Sequence, residues 1–190
     1  MGIADVITAE RFASGMTYAE YLGTMTEMRP RFEEQAAAFK LSTDDASAFK
    51  ELNRKLGGLK VLVIGEDWCP DVHRGIPIME AITKASGMEI KIFQRDKHMD
   101  IMNLYLKQGK FMSIPVFAFF TADMKPLCHW IERPEAASKF MEQIAAELTS
   151  RKLEEKEVRA EVRKRNQEMT AKWREETVKE LKELLGGVQT

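Results

Sequence analysis

Residues 59–87 read LKVLVIGEDWCPDVHRGIPIMEAITKASG, and the order of residue types in them sets the architecture to expect. Val61-Leu62-Val63-Ile64 is an unbroken β-branched and apolar run, too short for a buried helix and typical of a buried parallel strand. Proline is well tolerated at the first helical position, so Trp68-Cys69-Pro70 predicts a helix start. Val72, Ile76, Met79 and Ile82 then fall on one face, and Ser86-Gly87 closes the helix. Cys69 therefore stands where a strand has ended and a helix begins.

Outward from this unit, Met88 to Phe93 alternates Ile90 and Ile92 with Lys91, a second strand, so strand, helix and strand make a right-handed crossover. Asp96 to Gln108 predicts a helix ended by Gly109. Val116 to Phe120 and Leu127 to Ile131 flank a turn at Ala122-Asp123, the spacing of an antiparallel hairpin, and Glu135 to Leu148 predicts the last helix of the domain. Upstream, Thr17 with Glu20 is a capping box, and Tyr18, Tyr21, Leu22, Met25, Met28 and Phe32 give one continuous helix an apolar face. Ser42 or Thr43 caps a second helix carrying Phe49, Leu52 and Leu56, ended by Gly57-Gly58. The organisation expected is an N-terminal helical extension over 1–58, a domain over 59–150 and a charged C-terminal helix over 151–190. That last helix interleaves both signs at supportive spacing from Arg151 to Leu185. Its thin stripe of Val158, Val162, Met169, Trp173, Leu181 and Leu184 could dock on the domain or join subunits into a homo-oligomer.

A thiolate at Cys69 would face unpaired backbone amides and the positive end of a helix dipole. That field is worth about 0.3–1 kcal/mol, and up to about 2 in a partly buried site, enough to lower a thiol pKa by roughly 1 from about 8.5. Asp71, a carboxylate in the same first turn, works against it. The other thiol, Cys128, lies in a hairpin strand and is expected to be buried and inert. His73, His98 and His129 have no zinc-like spacing, so no metal is expected, and His73 is expected at the surface. A net charge of -1 gives no general pull toward nucleic acid or an anionic membrane. Charges interrupt every stretch approaching the length of a membrane span, and residues 1–15 lack the apolar core of a signal peptide, so a cytoplasmic protein is expected.

Trp68-Cys69-Pro70-Asp71 after a strand, Pro77 eight residues beyond the cysteine, and Ile114-Pro115 before a hairpin together resemble the thioredoxin family, and in particular its members with a Trp-Cys-Pro-Asp-Cys site. The resemblance covers the middle half of the chain and leaves both helical extensions outside. It implies an α/β fold, a three-layer α/β/α arrangement around a central mixed sheet, with Pro115 as a cis-proline. It also implies that Cys69 is the attacking thiol, that Trp68, Pro70 and Asp71 edge the site, and that Ile114 beside Pro115 offers its backbone to an extended substrate. Two positions depart from the family pattern. The resolving cysteine three residues after the first is Val72, and the buried acid six residues before it is Val63. The activity implied is monothiol thiol-disulfide exchange with a protein or a low-molecular-weight thiol or disulfide, which needs no cofactor. The alternative is a non-catalytic binding module that holds a protein partner in the groove between Cys69 and Pro115 or on the helical extensions.

Overall fold

The computed structural model describes residues 2–151 and 153–189, so residues 1, 152 and 190 of the expected extensions lie outside the described residues. Two short helices open the chain, α1 (Ile3–Val6) and α2 (Ala9–Ala13), the second capped by the Thr8 hydroxyl, which accepts the Arg11 N–H at 3.1 Å. The single helix predicted from Tyr18 to Phe32 is two, α3 (Tyr18–Gly23) and α4 (Arg29–Ala37). Thr24 turns its hydroxyl onto the Tyr21 carbonyl at 2.7 Å, and Pro30, which has no N–H to extend a preceding ladder, enters at the start of α4. Residues three and four apart therefore share a buried side across a break. The predicted capping box is present: Glu20 donates its N–H to the Thr17 hydroxyl at 3.3 Å and its carboxylate accepts the Thr17 N–H at 2.7 Å. α5 (Thr43–Lys55) begins at Ser42, whose hydroxyl accepts the Asp45 N–H at 3.0 Å. Beyond it Gly57 and Gly58 take φ of 77° and 90°, a left-handed backbone that stops the helix.

The apolar run becomes β1 (Leu59–Gly65), the crossover helix is α6 (Pro70–Ser86), and β2 (Glu89–Gln94) returns parallel to β1. Gly87 ends α6 at φ 78°, its N–H donating to the Thr83 carbonyl at 2.9 Å.

The helix predicted over Asp96–Gln108 is not continuous: a 3-10 turn at Arg95–Lys97 precedes the one-turn α7 (Met99–Met102). His98 sits between them at φ -131° and ψ 54°, outside the helical region, and the Asp96 N–H is taken at 2.8 Å by the Glu66 carboxylate. Gln108 and Gly109, at φ 55° and 67°, then reverse the chain so that Lys107 bridges Phe111.

β3 (Val116–Thr121) pairs antiparallel with β1 and with β4 (Pro126–Ile131), which completes a mixed sheet in the order β2-β1-β3-β4. As the central parallel strand pattern requires, Val61, Leu62, Val63 and Ile64 are wholly buried.

After α8 (Glu135–Ser150) the charged segment forms α9 (Glu155–Glu168) and α10 (Thr170–Gly186) rather than one helix, with the break at Met169. The Thr170 hydroxyl donates to the Gln167 carbonyl at 2.6 Å there. The chain forms two compact units, one of residues up to Glu132 with those from Leu181 onward, the other Arg133–Glu180. In the second, Ile144, Leu148 and Val158 form a buried cluster with Phe140 and Val162 against it, and Trp173 meets Phe140 edge-on at 5.4 Å. In the first, Lys182 donates to the Asp45 carboxylate at 2.5 Å. Among the described residues, no helix is long and apolar enough to cross a membrane.

Candidate functional site

Cys69 is the N-cap of α6, with an extended backbone at φ -88° and ψ 122°. Its carbonyl accepts the Val72 and His73 N–H groups at 3.0 and 3.1 Å, while its own N–H donates to the Glu66 carbonyl at 3.2 Å. Glycine at the end of β1 lets the helix close on the strand, since a Cβ at Gly65 would stand 3.0 Å from both Val72 Cγ1 and Ile76 Cδ1. Gly75, one turn further along, does the same for the facing loop. A Cβ there would be 2.9 Å from Pro115 Cγ and 3.3 Å from Phe117 Cζ.

Those close approaches bring Ile114 and Pro115 against the start of α6. The Ile114-Pro115 bond is cis, and the half-buried Cys69 thiol donates to the Ile114 carbonyl at 3.7 Å. Trp68 is 52% exposed, with the Arg95 guanidinium 4.8 Å above its ring, and Arg95 Nη1 donates to the Met112 carbonyl at 3.4 Å. Phe111 and Met112 are 51% and 46% exposed and lead into Ile114, so the cysteine has an apolar rim. Pro70 is exposed at the first position of α6.

Asp71 points inward instead: it is buried and ion-paired with the buried Arg74. The negative field expected to oppose a Cys69 thiolate is thus matched by a guanidinium one turn on. His73, expected at the surface, is half-buried. It donates from Nε2 to the Asp67 carbonyl and meets the Phe32 ring edge-on at 5.1 Å. Val63 and Val72, which stand where the family pattern has an acid and a second cysteine, are both fully buried.

Two further residues, Glu66 and Arg95, shape the site. Glu66 is buried, and burial holds its carboxyl above the usual carboxylate range despite the Asp96 N–H that it accepts. Its signal was a lone carboxylate directly after an apolar strand. Arg95 carried none. Tyr21 is fully buried and counted in the sequence only as one member of an apolar stripe, yet its Oη has no hydrogen-bond partner among the described residues. An unsatisfied buried hydroxyl costs about 1–3 kcal/mol, so its retention requires a reason.

Cys128 lies on β4 opposite Phe119, half-buried, with its thiol pushed up to about 11 by burial. No disulfide joins it to Cys69. Among the described residues, no group of three or more His, Cys, Asp and Glu side chains is arranged to hold a metal ion.

A family model described as Thioredoxin matches residues 15–147. The match takes in α3, α4 and α5, which the sequence resemblance had left outside. Two solved structures are similar over nearly the whole chain. A protein of unknown function, PA1234 from Pseudomonas aeruginosa, is 16% identical with a TM-score of 0.69, over 95% of this chain and 98% of that one. An HIV epitope-scaffold is 15% identical with a TM-score of 0.67, over the full length of both. At such identities the likeness is one of fold. No curated protein matches the chain.

Proposed function

The chain belongs to the thioredoxin family, and on that premise we propose that it carries out monothiol thiol-disulfide exchange through Cys69. One observation carries the reading: a half-buried sulfur at the amino end of the 17-residue α6 lies 3.7 Å from the Ile114 carbonyl, beside Pro115. The positive end of the α6 dipole favours the thiolate, which is the nucleophile in exchange. The thiolate attacks one sulfur of a disulfide, forming a Cys69 mixed disulfide and expelling the other sulfur as a thiolate. An external thiolate then attacks the substrate sulfur of that adduct and releases Cys69 as a thiolate. With Val72 in the third position after Cys69, the second step has to come from another molecule, a protein or a small thiol in a reducing cytoplasm.

Incubation with oxidised glutathione is expected to add one glutathione to Cys69, reversed by excess small thiol and abolished by Cys69→Ser. Alkylation should separate the two thiols by pH. Cys69 is expected to react with a midpoint below the ordinary thiol value of about 8.5, whereas Cys128 follows its burial-raised value of about 11. Equal adduct on Cys69→Ser and on the parent would rule the reading out.

The exposed Trp68, Phe111 and Met112 favour a second reading, a binding module for an apolar extended segment of a protein partner. Binding of such a peptide with equal affinity to the parent and to Cys69→Ser, with no adduct on either, would select it.

A further inference from the structure

Two stretches of chain flank the Cys69 sulfur. Trp68 precedes it directly, and the segment from Phe111 to Ile114 reaches it through the Ile114 carbonyl, which accepts the thiol at 3.7 Å. Arg95 touches both. It stands directly after β2, at the start of the 3-10 turn; its guanidinium lies 4.8 Å over the Trp68 ring, and Nη1 donates to the Met112 carbonyl at 3.4 Å. Its side chain is only 18% exposed, although the Trp68 and Met112 it touches are exposed. A guanidinium more covered than its apolar neighbours is part of the groove's framework rather than a solvated surface charge. Among the described residues Trp68 has no other ring, cation or hydrogen-bond partner, so Arg95 is what orients the indole.

The arginine is itself held. Nε donates to Asp96 Oδ1 at 2.9 Å and Nη2 lies 2.7 Å from the same oxygen, while the Asp96 N–H donates to the Glu66 carboxylate at 2.8 Å. The Glu66 carbonyl in turn accepts the Cys69 N–H at 3.2 Å. These contacts run from Cys69 through Glu66, Asp96 and Arg95 back to Trp68, its chain neighbour, with a branch to Met112. A planar guanidinium stacks by its face while donating in its plane, which the point charge of a lysine does not do. We propose that Arg95 is a positioning residue for exchange: it holds the Trp68 ring and the backbone that leads into Ile114-Pro115 in fixed relation, so that a polypeptide disulfide meets a preformed rim. The inference rests on the exchange reading above and adds to it how the substrate is seated. Arg95 acts through Trp68 and Met112 and takes no part in the transfer of sulfur. Ordering loose side chains on binding costs affinity, so loss of this support falls on substrate binding rather than on chemistry.

The test uses the full chain and two disulfides. One is a short peptide of leucine and alanine around a single cysteine, joined in a mixed disulfide to 2-nitro-5-thiobenzoate; attack by Cys69 on the peptide sulfur expels the coloured thiolate. The other is hydroxyethyl disulfide, too small to span the rim. Arg95→Met and Arg95→Lys are each expected to raise the half-saturating peptide concentration about three- to tenfold, with the limiting rate, the rate with hydroxyethyl disulfide and the alkylation midpoint of Cys69 unchanged. Trp68→Ala should raise the half-saturating concentration as well, and Arg95→Met added to it should cost less than it does alone. Full recovery in Arg95→Lys would show that charge suffices and overturn the proposal, as would a moved alkylation midpoint or full additivity with Trp68→Ala. An unchanged half-saturating concentration in Arg95→Met, with Cys69→Ser inactive, brings down this inference alone. Release of the thiobenzoate by Cys69→Ser at the parent's rate would bring down the exchange reading instead.

Discussion

Val72 limits what Cys69 can do without help. Its side chain fills the space beside Gly65 at the end of β1, and its N–H is bound by the Cys69 carbonyl at 3.0 Å. Residues three apart at a helix start lie about 5–6 Å apart, inside the range a disulfide spans. Val72→Cys is therefore expected to form an intramolecular disulfide with Cys69 on mild oxidation, seen as a loss of two mass units and of Cys69 labelling, at about 1 kcal/mol of lost packing in the reduced protein. Continued labelling of Cys69 under those conditions would mean that α6 does not present the two positions to each other. The place of Cys69 was legible because local rules govern it, a strand end and a proline at a helix start, whereas Trp68, Ile114 and Pro115 were singled out by the resemblance to the family. Tyr21 and Glu66 were not, because the neighbours of a buried hydroxyl or carboxylate are set by segments far away in the chain. Asp71 was misjudged for the same reason, its partner Arg74 being hidden in an otherwise apolar helix face.

Elements defined by one strong periodicity were readable, and those resting on polar stretches were not. β1, α6 and the β3–β4 hairpin follow their alternation or helical face closely, whereas 96–108 has helix-forming residues but loses its ladder where Glu66 takes the Asp96 N–H. The N-terminal stripe marked the buried side correctly and concealed the break at Gly23-Thr24, since two short helices can share one apolar side. α3 has only six residues, so its end caps matter more than its length. Thr17→Ala removes one half of the capping box and is expected to cost about 1 kcal/mol in urea unfolding. An unfolding curve superimposed on the parent's would show that the capping box does not hold α3 in place.

At the scale of the whole chain, the end of α10 belongs to the unit that contains Cys69, whereas the sequence placed it in a charged helix over 151–190 whose stripe docks on the domain or joins subunits. Leu181 and Leu185 are buried, and Lys182 reaches a carboxylate 137 residues away, on α5. Cutting the chain after Ser150 would therefore strip part of that unit, so subunit contacts are better probed by substitutions on the exposed face of α9. The Lys182 ammonium, and after it the Ser42 hydroxyl, hold the Asp45 carboxyl below the usual carboxylate range. A carboxyl depressed in the folded state stabilises the fold above its unfolded value, about 3.9, and loses that contribution as pH falls through the folded value. Lys182→Met should accordingly cost little at pH 7, under about 1 kcal/mol for a pair this close to solvent, and should flatten the decline in Tm between pH 5 and pH 2. Parallel melting curves for parent and variant across that window would show that this ion pair does not contribute to acid sensitivity, and that the end of α10 is held to its unit by Leu181 and Leu185 instead.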